Sequence, residues 1–124
     1  MEERMMATFP NPFWPSPSAP KQEASSETSV VLIATFVVPA SMEDGFLQWW
    51  RVLKPYFAAQ PGFVSARLHR SLDQNQQYRF INIAEWRSSD AYRQALSSMW
   101  STVPKPSIPG FEWHPALYEV IEET

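Results

Sequence analysis

Twelve prolines divide this chain of 124 residues, and their placement limits what it can fold into. Each proline locks φ and removes an amide donor, so neither a helix interior nor a central strand takes one easily. Pro10, Pro12, Pro15, Pro17 and Pro20 fall within residues 1–28, and Pro104, Pro106, Pro109 and Pro115 crowd residues 103–115. Only Pro39, Pro55 and Pro61 interrupt the stretch between. Regular structure is therefore expected mainly in residues 29–103, with room for one short element after Pro115.

Residues 1–28 show no hydrophobic period and read as a flexible proline-rich arm. Phe9, Phe13 and Trp14 are unusual in a plain linker. They leave open an arm that docks on the domain or on a partner. Residues 29–124 are the folded domain, nearly neutral with eight basic and nine acidic residues.

Val30 to Val38 is β-branched and apolar, as a buried strand requires, and Pro39 ends it. Ser41 and Asp44 have capping-box spacing ahead of a helix carrying Phe46, Trp49, Trp50, Leu53 and Phe57. Pro55 is expected to kink or end that helix, and Pro61-Gly62 is turn chemistry. Adjacent Trp49 and Trp50 point apart, which puts one on the sheet and the other toward solvent, the arm or a partner.

Phe63 to Ser71 alternates, with Val64, Ala66 and Leu68 on one face and Ser65, Arg67 and His69 on the other. After a polar hairpin loop, Tyr78 to Arg87 alternates again. Phe80, Asn82, Ala84 and Trp86 share one face; Arg79, Ile81, Ile83 and Glu85 share the other. Ser88 or Ser89 caps a second helix over 89–100. Residues 103–115 are expected to be a loop and Leu117 to Ile121 a last strand.

The order is βαββαβ, an α+β ferredoxin-like arrangement with an antiparallel sheet. Both helices cover one sheet face. The other keeps Ile81, Ile83 and one side of the first strand, and an exposed apolar sheet face calls for a cover. A second copy packed face to face supplies it, so a homodimer is expected.

The chain has no cysteine, which excludes a disulfide scaffold, a thiolate metal site and a cysteine nucleophile. Its net charge of −3 argues against nucleic acid as a partner. The longest apolar run is too short to span a bilayer, and a cytoplasmic, soluble protein is expected. Gly45, Gly62 and Gly110 are too scattered for a phosphate or dinucleotide loop. His69 and His114 lack metal-ligand spacing, so no metal is expected.

Four stretches, taken in order, resemble the antibiotic biosynthesis monooxygenase family, whose domains pair as dimeric α/β barrels. They are Val31 to Pro39, Gln60 to Ala66, Phe80 to Trp86 and Pro115 to Val120. The third, a strand running into Glu85-Trp86 ahead of a serine-capped helix, is the most specific. The resemblance implies a pocket between sheet and helices, lined by the matching pair Asn82 and Trp86. It implies a cofactor-independent monooxygenase of secondary metabolism, with dioxygen as co-substrate and an electron-rich phenol or anthrone, polyketide-like, as substrate. The family's oxygenases often carry a second Asn on the first strand, where this chain has Ala34. Its haem-degrading branch carries a His on the helix after the Trp, and residues 89–100 have none.

On the residues themselves, Asn82 is either a hydrogen-bond donor to a reacting oxygen or a structural amide. Trp86 either holds a ligand or packs the core. His69 is the candidate general base, with a surface or interface role as its alternative. Arg67 either steadies an anion or pairs with Glu85 or Asp90. His114 is placed at the pocket mouth. Tyr92, Phe80, Phe36 and Trp49 are the aromatic residues expected to hold a hydrophobic aromatic substrate. An oxygen-independent isomerase or cyclase using the same pocket, and a non-catalytic ligand-binding dimer, both stay open.

Overall fold

The computed structural model describes residues 28–124. The arm expected over residues 1–28 lies outside the described residues except at Thr28. Four strands and two helices follow in the order expected: β1 (Val30–Val37), α1 (Glu43–Ala58), β2 (Phe63–Arg70), β3 (Phe80–Trp86), α2 (Ser89–Ser97) and β4 (Glu112–Tyr118). The sheet order is β2-β3-β1-β4, and every neighbouring pair is antiparallel. This is the α+β ferredoxin-like fold. The helical crossovers β1-α1-β2 and β3-α2-β4 each skip a strand, which lays both helices on one face.

Alternation along β1 and β3 sorts side chains between the faces. Leu32, Ala34 and Phe36 are buried on the helix side, together with Phe80, Asn82, Ala84 and Trp86. Val31, Ile33, Thr35 and Val37 face the other way and are only half-buried. Ile83 on that open face is 41 % exposed.

Four local expectations need correction. Ser41 does not cap α1. A turn of 3-10 helix over Ala40–Met42 precedes it, and no side-chain cap bond forms at its start. The N-terminus of α1 is held electrostatically instead: Glu43 accepts from Arg79 at 2.8 Å. Pro55 does not end α1, which continues to Ala58. Arg51 and Pro55 both lie on its exposed side, and the lost hydrogen bond falls in the final turns. In β2 a bulge between Phe63 and Ser65 breaks the alternation, so Phe63, Ala66 and Leu68 share the helix side. Val64 falls out of that set and is 45 % exposed.

The fourth correction concerns β4, which begins at Glu112, inside the expected loop, and ends at Tyr118 rather than Ile121. It is an edge strand, so Pro115, opposite Ala34, can lack a donor on its free side. Other expectations hold. Ser88 caps α2, its hydroxyl accepting from the Ala91 amide at 3.1 Å. Gly62 takes φ +88°, and a Cβ there would stand 2.5 Å from the Ala91 side chain. The Pro61-Gly62 turn thus seats the start of β2 against α2.

Candidate active site

A cavity of about 570 Å³ lies between the helix side of the sheet and the two helices. That volume lies within the range of roughly 300–1,000 Å³ common for small-molecule sites. Its floor is Leu32, Ala34 and Phe36 of β1 with Asn82, Ala84 and Trp86 of β3. The α1 side contributes Trp50, Leu53, Lys54 and Phe57, and α2 contributes Tyr92. Trp113 of β4 completes the wall. The exposed members, Lys54 and Ala58 on α1 and Ser65 and Ala66 on β2, mark the mouth.

The walls are mostly apolar, yet several buried polar atoms have no hydrogen-bond partner. They are Asn82 Oδ1, Trp86 Nε1, Tyr92 Oη and Trp113 Nε1. Asn82 is 7 % exposed, Trp86 1 % and Tyr92 fully buried. Leaving such a group unpaired costs about 1–3 kcal/mol, and buried polar groups are normally satisfied. Four in one cavity wall leave it able to hydrogen-bond a polar guest. Ala34 contributes to this, because it stands directly opposite Asn82 in the sheet. A second amide at that position could have bonded Asn82; a methyl group cannot.

Trp86 is held rigidly. Phe57, Phe63 and Tyr92 meet it edge-on with ring centroids 5.9, 5.5 and 5.5 Å away. Burial pushes the Tyr92 phenol well above the usual tyrosine value. It therefore keeps its proton at neutral pH and acts as a neutral O–H.

The structure brings Asn82, Trp86, Tyr92 and Phe36 together at this cavity and leaves the other expected residues out. Phe80 is buried on the same sheet face but packs on Phe46, ring centroids 4.6 Å apart. Trp49 is core: its indole N–H donates to the Pro104 carbonyl at 2.9 Å. Arg67 and His69 stand opposite Ile83 and Ile81 in the sheet, on the open face, whereas Asn82 faces the helices. A strand period of two separates them from the cavity. Asp90, one partner considered for Arg67, pairs with Arg93 at 3.3 Å instead. His114 does not reach the mouth either. It alternates with Trp113, pairs with Glu112 at 2.9 Å and meets the Tyr78 ring edge-on.

Trp50, half-buried, also turns toward the sheet. It meets Phe36 edge-on at 6.1 Å and lines the cavity. Both tryptophans fit because the apolar side of α1 is wide enough for two neighbours to diverge inward. Sequence reasoning missed Trp113, which lay in the expected loop, and Lys54, an ordinary helix lysine by pattern. The signal for Trp113 was its alternation with Phe111 and Pro115.

The model for antibiotic biosynthesis monooxygenases matches residues 29–100. The chain belongs to that family. A putative monooxygenase from Shewanella loihica is 35 % identical, with a TM-score of 0.70, covering 77 % of this chain and 96 % of that one. Deoxynogalonate monooxygenase of Streptomyces nogalater is 41 % identical over 59 residues. That match takes in 48 % of this chain and 45 % of the relative, so the shared region is under half of either. SnoaB from the same organism, described as a cofactor-independent oxygenase, shares the fold at 24 % identity and TM-score 0.50, over 77 % of this chain and 95 % of its own.

The fold is also that of MhuD, a haem degrader of Mycobacterium tuberculosis, at 20 % identity and TM-score 0.55, over 77 % of this chain and 98 % of its own. Among the described residues no histidine lines the cavity, and burial keeps its Tyr92 phenol protonated. Among the described residues no helix is long and apolar enough to cross a membrane.

Proposed function

We propose that this family member is a monooxygenase that oxidises an electron-rich aromatic small molecule, an anthrone or polycyclic phenol, with electrons supplied by the substrate itself. The observation that carries the reading is the convergence of Asn82 Oδ1, Trp86 Nε1 and Tyr92 Oη, all buried and unpartnered, in one aromatic-walled cavity. An apolar ring system fills the walls, and oxygen substituents meet those polar atoms.

The chemistry balances without a further reductant. An activated methylene loses one proton to give a resonance-stabilised carbanion. That anion passes one electron to dioxygen, and the radical pair combines to form a C–O bond. The resulting peroxide takes up a proton, then loses the second C–H proton as its O–O bond breaks. A carbonyl and one molecule of water are the products, so one oxygen atom enters each. Trp86 and Tyr92 donate hydrogen bonds to the oxygen on which charge develops. Asn82 accepts from a substrate hydroxyl or, with its amide turned over, donates its NH₂.

No carboxylate or imidazole among the described residues lines the cavity, and a protonated Tyr92 is not a base at neutral pH. The substrate's own acidity therefore supplies the anion, and the donors lower its pKa in place. Replacing His69, on the opposite sheet face, leaves that step intact. The test is oxygen uptake by the purified, chelator-treated protein with an anthrone and hydroquinone panel across pH 5–9. The expected profile rises with pH along the ionisation of each substrate and shifts from one substrate to the next. A single profile shared by all substrates and lost in His69→Gln would overturn the proton assignment; no uptake with any member would overturn the oxygenase reading.

One observation favours a second reading. Ala34 leaves Asn82 without a neighbouring amide to help position dioxygen or a peroxide. The remaining donors equally suit an enolate in an oxygen-independent isomerisation or cyclisation. Turnover that persists under nitrogen selects this reading.

The protein is further proposed to be a homodimer, joined through the open sheet face. Val31, Ile33, Val37, Ile81 and Ile83 would be covered there, with Arg67 and His69 at the interface. Sedimentation at micromolar concentration is expected to give twice the chain mass.

A further inference from the structure

The cavity is chemically lopsided. Its inner wall holds the unpartnered neutral groups of Asn82, Trp86 and Tyr92. Its mouth holds Lys54, the only charged side chain among the described residues lining it. Among the described residues no carboxylate lines the cavity, and none lies within ion-pairing distance of Lys54.

The helix explains why. Its acidic residues, Glu43 and Asp44, sit in the first turn, nearly three turns away. The positions three and four residues to either side of Lys54 are Trp50, Arg51, Phe57 and Ala58. None can neutralise it, although such spacing is where helix ion pairs form. Trp50, Phe57 and Ala58 themselves line the cavity, so the lysine rises from the same stripe of α1 that contacts the guest. A positive rim on a protein of net charge −3 is a local feature rather than a general basic surface.

We infer that Lys54 is a specificity residue and that the guest is an aromatic acid. Its ring system lies against the cavity walls, and a carboxylate at its outer end meets the Lys54 ammonium at the mouth. The inference rests on the proposal that this cavity is the ligand site; it does not depend on whether oxygen is used. It also sets the orientation. The end remote from the carboxylate is the one delivered to Asn82, Trp86 and Tyr92.

Binding, rather than turnover, tests this, so failure of the oxygenase reading would show up separately in the uptake assay. The probes are an anthraquinone carboxylate and the matching neutral carboxamide, neither of which can undergo the methylene oxidation. Their affinities for the full chain are read from quenching of tryptophan fluorescence. The wild-type protein is expected to prefer the carboxylate by about fivefold, the worth of one partly solvated ion pair. Lys54→Met should abolish the preference by weakening the carboxylate alone. Lys54→Arg should keep it, Lys54→Glu should reverse it, and raising the salt to about 1 M should narrow it. Lys54 is exposed, so these variants are expected to fold, and unchanged melting curves check that. Equal binding of the two probes, a preference that survives Lys54→Met, or no binding of either probe would overturn the inference.

Discussion

Two parts of the interior are built from the same residue types and differ in one respect. Around Trp49 the indole packs on Phe46 and Phe111, and its N–H finds the Pro104 carbonyl. Around Trp86 the indole packs on Phe57, Phe63 and Tyr92, and its N–H finds nothing. Aromatic packing is therefore no guide to role. What separates a core from a site here is whether the polar edge of each ring is satisfied. In the first region the hydrogen bond ties α1 to the segment before β4, which is stability. In the second, the unpaired groups lower stability and stand beside an open volume, where a polar guest can pair them.

The sharpest way to break that comparison is Asn82→Ala. Turnover in the oxygen-uptake assay should fall by about 100- to 1,000-fold, as when a donor to a developing oxyanion is removed. Melting temperature should hold or rise, because no Oδ1 hydrogen bond is lost. A large drop in stability instead would place Asn82 in the structural class with Trp49.

A paired substitution sharpens it further. Trp49→Phe removes part of a buried indole together with its hydrogen bond to the Pro104 carbonyl and should cost about 1–3 kcal/mol in denaturant unfolding, with ligand affinity little changed. Trp86→Phe loses the same part of the indole, but with an N–H that has no protein partner. Its stability loss should be smaller than that of Trp49→Phe by about 0.5–1.5 kcal/mol, while affinity for an oxygen-bearing aromatic falls several-fold. Equal losses of stability in both would erase the distinction.

The smallest effect is alkaline. Burial raises the folded-state Tyr92 pKa above its ordinary 10.0. The unfolded chain then releases this proton at lower pH than the folded one. Stability from this group is complete below the unfolded value and is lost as pH climbs past it toward the folded value. Tyr92→Phe should flatten the stability curve above about pH 10 and leave its slope near neutrality unchanged. An unaltered alkaline slope would mean that the phenol is more open to water than its position implies.

How much was legible beforehand depended on whether the information was local. The alternation from Phe80 to Trp86 placed Asn82 and Trp86 on one face, and Ser88 marked the start of α2; both are short-range patterns. The start of β4 was not legible, because Pro115 argues against a strand unless that strand is known to be an edge. Trp113 was lost with it. The bulge at Phe63 to Ser65 was hidden for a similar reason: it exists only in relation to β3. His69 looked like the best base because its chemistry suited one. Its face was read correctly from the alternation, but which face of β2 met the cavity was set by pairing with β3.

By itself, then, the sequence determined the order of elements, the antiparallel ferredoxin-like architecture and the shared face of Asn82 and Trp86. Those follow from proline placement and from periods of two and about 3.6, which each segment carries within itself. Only the tertiary structure decided which indole is satisfied, which aromatic residues wall the cavity, and that Lys54 is the charged group among the described residues at its mouth. Each of those depends on groups far apart in the chain, Trp49 with Pro104 or Asn82 with Ala34. A polar atom is paired or orphaned according to what the whole fold brings beside it.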